Sequence, residues 1–154
     1  IRPIHLNDVA FIQELVNTEG WLKNIGNRNI YDRTSATSYI QNILDNPKYF
    51  YHVFELKHPE KAIGIVTFLH RDHFAFPDIG FAVLPDYENN GYTFEACNKY
   101  LEEMVALNIY EKIIGITLPE NQKSIRLLNK LGMHYEAEYK RQNEILSLFS
   151  CLDP

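Results

Sequence analysis

A chain of 154 residues, 45% hydrophobic and 23% charged, has the make-up of one ordinary globular domain over 1–154, long enough to bury roughly 68–70% of its unfolded surface. A formal net charge of −5 argues against a broad nucleic-acid footprint, which needs a basic face, so any phosphate would have to be held locally by backbone amides at a helix start. The longest apolar runs, such as Ile63 to Leu69, fall far short of the ~20 residues of a membrane-spanning helix, and no membrane partner is expected.

Asn7-Asp8 is a turn signal that can cap a helix carrying Val9, Ile12, Leu15 and Val16 at helical spacing. Glu19 to Arg33, with Gly20, Gly26 and several Asn, is expected to be a packed loop around Trp21, Ile25, Ile30 and Tyr31. Thr34 or Ser35 opens a second helix with Tyr39, Ile40 and Leu44 on one face, closed by Asn46-Pro47. Tyr49 to Leu56 and Ala62 to Leu69 are rich in aromatic and β-branched residues, and His58 to Lys61 turns one into the other as a hairpin. Ile79 to Leu84 is a third strand, stopped by Pro85-Asp86.

Gly91 to Leu107 has the strongest helical pattern, with Phe94, Cys97, Leu101, Met104 and Val105 in one stripe. Lys112 to Leu118 is a nearly continuous apolar run, as in a strand covered on both faces. Asn121 leads into a helix that turns Ile125, Leu128 and Leu131 inward, and Gly132 stands where a left-handed cap is wanted. His134 to Arg141 and Ile145 to Leu152 are closing strands around Gln142-Asn143. The order predicts a mixed α/β domain without repeats.

Cys97 and Cys151 belong to no CxxC pair or Cys/His cluster, so zinc and thiol redox chemistry find no support, and reduced thiols are expected. The chain opens at Ile1 with neither an initiator Met nor a basic-then-apolar leader. The expectation is a trimmed piece of a cytoplasmic protein, not a secreted one.

Chemistry concentrates where the third strand passes through Asp86-Tyr87-Glu88-Asn89-Asn90 to Gly91 and the long helix. Such a turn aims unpaired N–H groups outward, where the helix dipole adds about half a positive charge. A diphosphate fits there without a lysine, and Gly91 removes a Cβ from its path. The segment is neither a Walker loop nor a dinucleotide fingerprint. Some 30 residues later, Asn121 and Ser124 share one side of the next helix start. Read alone, the first feature fits turn geometry and the second a plain N-cap equally well.

Together, Tyr87-x-x-x-Gly91-Tyr92, Glu95-Ala96, then Asn121-x-x-Ser124-x-Arg126-Leu127-Leu128-x-Lys130-Leu131-Gly132, resemble the GNAT superfamily of acyl-coenzyme A N-acyltransferases. Within it the likeness is to ribosomal-protein alanine N-acetyltransferases. The resemblance runs from Ile1-Arg2-Pro3, similar to that family's opening strand, to the final strand pair. It implies a central mixed sheet flanked by about four helices and acetyl-CoA as cosubstrate.

The family's phosphate motif falls on Glu88, Asn89, Asn90, Gly91, Tyr92 and Thr93, with Phe94 following. Glu88 replaces the usual Gln or Arg and Thr93 the usual small residue. A carboxylate there repels a diphosphate by ~1 kcal/mol at 4 Å under water-like screening. The same likeness lays pantetheine along Phe81, Ala82 and Val83, with a backbone N–H near Val83 as oxyanion donor. It assigns Asn121 and Ser124 to the pantetheine arm, Ser124 in a positioning role. Some members carry a Tyr acid where this chain has Leu128, and neither cysteine lies in the motifs as a nucleophile.

Acetyl transfer needs a neutral amine, hence a base, reached directly or through water. Asp78 and Glu55 are the candidates, with His70 and His73 flanking the loop between; His70-x-x-His73 with Asp72 lacks a third clustered ligand for a metal. The acceptor is expected to be a peptide or small-molecule primary amine, a protein N-terminus being favoured, and the protein a monomer or homodimer. Glu19 to Arg33 and the turn at Gln142 are expected to shape the acceptor pocket, with Asp32 or Glu19 as acidic lining. The alternatives are a degenerate acyl-CoA binder without turnover, supported by Glu88 and Thr93, and a protein-interaction module. The module requires the aromatics of 46–50 and 73–77 to form one patch.

Overall fold

The computed structural model describes residues 1–152. Seven strands form one sheet in the order β1-β2-β3-β4-β5-β7-β6: β1 Arg2–Pro3, β2 Tyr49–Lys57, β3 Glu60–Leu69, β4 Asp78–Val83, β5 Lys112–Thr117, β6 His134–Arg141 and β7 Glu144–Leu152. Neighbours are antiparallel except β4 and β5, which run parallel. The helices are α1 Val9–Val16, α2 Glu19–Asn24, α3 Arg33–Leu44, α4 Tyr92–Ala106 and α5 Gln122–Lys130.

Alternation along β2 and β3 divides the core between the two faces of the sheet. Val53 and Ile65, paired in register, join Ile12, Leu15 and Val16 of α1 and Ile40 and Ile43 of α3. Phe54, Val66 and Phe68 point the other way, onto Cys97, Tyr100 and Leu101 of α4 and Leu128 of α5. On β5, Ile113, Ile114 and Gly115 are all buried, so both faces are covered as its unbroken apolar run predicts.

Two expectations change. Glu19 to Arg33 is not loop throughout: Thr18 Oγ1 accepts the Trp21 N–H and starts α2. Trp21 is buried, and its Nε1–H donates to the Gly26 carbonyl at 3.1 Å. The flanks also favour Asp32 over Thr34 or Ser35 as the cap of α3, because the Asp32 carboxylate takes the Ser35 N–H at 2.7 Å. Among the described residues there are five α-helices, α2 being the one beyond the expected four.

The hairpin crosses β4 closely at Gly64. A Cβ there would lie 2.1 Å from Phe54 Cζ and 2.6 Å from the Ala82 carbonyl oxygen. Backbone cannot yield as a flexible side chain would, so Gly64→Ala is expected to destabilise the fold by about 1–3 kcal/mol. Thermal unfolding should show this as a Tm lowered by roughly 2–4 °C per kcal/mol; an unchanged Tm would mean the hairpin relaxes freely.

Candidate active site

β4 exposes part of its backbone. The Leu84 N–H donates to the Ile63 carbonyl at 2.8 Å, and pairing with β3 continues in register from Val83 to Asp78. Bonded and non-bonded pairs alternate in an antiparallel ladder. Ala82 and Gly80 therefore turn their amides to β3, while Phe81 and Val83 turn theirs toward β5. β5 pairs with β4 at Asp78↔Ile114, supported by the Ile114 N–H on the Pro77 carbonyl at 2.9 Å. Beyond that point the strands part, leaving the N–H and C=O of Phe81 and Val83 facing a gap.

The gap leads to the start of α4. Pro85–Tyr87 forms a short 3-10 turn, and the chain reaches α4 through two left-handed residues, Asn89 at φ 60° and Gly91 at φ 82°. The first bond carrying the chain into the helix is Glu95 N–H on the Gly91 carbonyl, at 3.0 Å. Among the described residues, no acceptor takes the N–H groups of residues 89 to 94, and no side chain caps α4. Left-handed residues in such a turn aim successive N–H groups into one hollow, where an anion can bind. A Cβ at Gly91 would meet nothing within 4 Å, so the space over that residue is open.

Glu88, expected to repel a diphosphate, is ion-paired to Lys123 in the first turn of α5. The charge conflict seen in the sequence is thus compensated from 35 residues away. Asn90 Nδ2–H donates to the Glu88 carbonyl at 2.8 Å and shapes the turn. Lys130 Nζ sits 4.2 Å from the centroid of the Phe94 ring.

At the start of α5, Asn121 is the N-cap: its Oδ1 accepts the Ser124 N–H at 3.2 Å and its Nδ2–H donates to Ser124 Oγ at 3.0 Å. The pair is therefore locked together. Leu128 is buried in the core, and its Cδ2 would lie 2.7 Å from a Cβ at Gly115; the side chain packs over β5.

One cleft of about 920 Å³ joins these parts. It is lined by Phe81, Ala82, Val83, Glu88, Asn89, Gly91, Thr93, Phe94, Asn121 and Ser124 of the expected set, and by Asp78. Asn90 and Tyr92 do not line it; the Tyr92 ring packs against the core under α4. Cys97 is buried beneath α4, and burial pushes its thiol well above the ordinary value.

At the other end, Asp78 Oδ2 accepts from Arg71 Nε at 2.6 Å. Burial drives this carboxyl up, the Arg71 cation pulls it back, and the net shift is upward. Glu55 lies away from this cleft, where Arg2 Nη2 holds it at 2.6 Å. His70 meets the rings of Phe50 and Phe68 edge-on and that of Tyr110 at a tilt, whereas His73 packs on Phe74 and Tyr139. Among the described residues, no group of three His, Cys, Asp or Glu is placed to hold a metal.

The loop after Trp21 and the turn at Gln142 do line the cleft, but Asp32 and Glu19 do not. Asp32 is occupied as a cap, and the charges at this end come from Arg28, Arg71, Asp78, Arg141 and Glu144. Spacing carries no signal for these arginines, two of which lie on separate connections and the third at the end of β6. The aromatics of 46–50 and 73–77 make separate contacts that share no ring: Phe50 with His70, Phe74 with Tyr139, Phe76 under Lys112.

These features fit acetyl-CoA. Open amides and an uncovered glycine suit the diphosphate, and the free edge of β4 suits the amide-bearing pantetheine arm.

A family model described as an acetyltransferase (GNAT) domain matches residues 1–134. The chain is 27% identical over 142 residues to the uncharacterized N-acetyltransferase YnaD of Bacillus subtilis (strain 168), covering 92% of this chain and 82% of that protein. The ribosomal-protein-S5-alanine acetyltransferase of Vibrio fischeri has the same fold, with a TM-score of 0.80 at 21% identity over 99% of this chain and 91% of that one. So does the spermidine N-acetyltransferase of Vibrio cholerae, solved with CoA and spermine, at a TM-score of 0.82 and 15% identity over 99% of this chain and 94% of that one. The chain belongs to the acetyltransferase (GNAT) family, whose members transfer an acetyl group from acetyl-CoA to an amine.

Proposed function

We propose that the acceptor is the N-terminal α-amine of a peptide or protein. The observation that carries this reading is the continuity of the cleft: it runs from the α4 amides, past the free edge of β4, to buried Asp78 and on to α2 and the Gln142 turn. Such a channel admits an extended chain from the end opposite the diphosphate hollow. The fold shared with an S5-alanine acetyltransferase agrees with it.

Acetyl-CoA supplies the acyl group as an activated thioester. In this reading the amides of residues 89 to 94 hold its diphosphate, and Phe81, Ala82 and Val83 align its pantetheine arm. Val83 N–H faces the acyl oxygen as negative charge develops there, at a position fixed in advance by the β3–β4 ladder. Asn121 orients Ser124, whose hydroxyl positions the sulfur. Asp78 Oδ1, left over from the Arg71 contact on Oδ2, takes the proton of the amine, through water where the amine stands back.

The reading is tested by mass spectrometry of an Ala-initiated peptide after incubation with protein and acetyl-CoA. One acetyl group on the α-amine is expected; modification confined to lysine side chains or to polyamines would contradict it.

Glu88→Gln removes the carboxylate beside the diphosphate and frees Lys123. Freeing that cation to attract the diphosphate, by about 1 kcal/mol under water-like screening, should tighten acetyl-CoA about fivefold in calorimetry. Weaker binding would mean that Glu88 aids the cofactor.

A further inference from the structure

The acceptor end of the cleft carries three arginines from separate parts of the chain: Arg28 after α2, Arg71 after β3, and Arg141 at the end of β6. Two have anionic partners. Arg71 Nε meets Asp78 at 2.6 Å, and Arg141 Nη2 meets Glu144 at 3.0 Å. Arg28 has none among the described residues. Its placement is built into the loop. Gly26 at φ 107° and Asn29 at φ 56° bracket it, Asn27 Oδ1 accepts the Asn29 N–H at 2.7 Å, and Asn17 Nδ2–H ties down the Ile30 carbonyl at 2.7 Å. Arg28 is exposed, with Nη1 3.8 Å from where a Cβ at Gly26 would stand, and Trp21 Nε1–H fastens the same loop through the Gly26 carbonyl. Arg28 and Arg71 both act electrostatically on the hydroxyl of Tyr51, a further lining residue.

Resting on the transferase reading above, we infer that the acceptor carries a carboxylate close to its amine and that Arg28 binds it. A guanidinium offers a planar fork matched to a carboxylate, and a cation without a counter-ion in the cleft selects for one. The same charge works against a polycation such as the spermine bound by the Vibrio cholerae relative, since like charges then face each other. With Arg71 and Arg141 already neutralised, one unmatched positive charge remains. The ligand chemistry is shared by a peptide with an acidic residue behind its N-terminus and by a free amino acid.

The test measures thiol release from acetyl-CoA with three peptides that begin with Ala and differ at the second position, Asp, Ser or Lys, beside free aspartate and spermidine. The expected order of kcat/KM is Asp above Ser above Lys, with about tenfold between the extremes, and spermidine below the Asp peptide. Free aspartate outrunning the peptides would support the assignment and name the free amino acid as the source. Arg28→Ala should collapse the Asp-to-Lys ratio toward unity, and Arg28→Lys should keep most of it, with unchanged Tm showing both variants folded. The inference is overturned if the Lys peptide or spermidine matches the Asp peptide, or if Arg28→Ala leaves the ratio intact. Thiol release from none of the five, in a protein that acetyl-CoA still stabilises, would overturn the acceptor reading and this assignment with it.

Discussion

Gly91→Val is expected to raise the Kd for acetyl-CoA by about a hundredfold while leaving a folded protein. Two effects add. At φ 82° a β-branched residue is strained, at a cost of about 1–3 kcal/mol, so the turn will relax away from the geometry that gathers its amides. Its side chain also projects into the open space over residue 91, where no atom beyond its chain neighbours lies within 4 Å and where the diphosphate would sit. Because that space is empty of protein, the substitution creates no clash in the core. Thermal shift separates the outcomes: acetyl-CoA should stabilise the parent protein and not the variant. Equal stabilisation of both would remove the diphosphate from this turn.

Asp78→Asn should lower kcat by about 10²- to 10³-fold, the range of a lost general base, with KM for acetyl-CoA little changed. The carboxyl is buried, which disfavours its charged form, and Arg71 offsets only part of that. Its shift is upward, so the deprotonated base accumulates as pH rises through a value above the ordinary carboxylate range. The parent enzyme should therefore show a rising acid limb in its pH profile, and Asp78→Asn should lack it. Arg71→Gln removes the offsetting cation and should move the limb to higher pH. A merely structural Asp78 would change Tm and leave the limb in place, which would contradict the base assignment.

Local periodicity carried most of the fold. Strands β2 to β5 and helices α4 and α5 fall where β-branched and apolar runs and the three- and four-residue stripes put them, because the helices bury one side against the sheet and β5 is covered on both faces. Helix α2 escaped because six residues with Gly20 among them give no stripe; only Trp21 is buried, and Thr18 supplies the start. Gly91 and Asn121 were legible because turn geometry and capping are local requirements. The parting of β4 from β5 is not, since it arises from a parallel pairing confined to Asp78 and Ile114, 36 positions apart. For the same reason Glu88 looked repulsive in sequence: its neutralising partner Lys123 comes from another helix. The acidic lining sought in Asp32 or Glu19 gave way to Arg28, Arg71 and Arg141, whose convergence is purely tertiary.

Everything proposed for the transfer rests on backbone nitrogens at the head of α4 receiving paired phosphates. A crystal structure of this chain grown with coenzyme A tests it most directly. Diphosphate oxygens within about 2.7–3.2 Å of amide nitrogens between Asn89 and Phe94 are the expected result. Coenzyme A bound elsewhere, with those nitrogens facing only solvent, would contradict it.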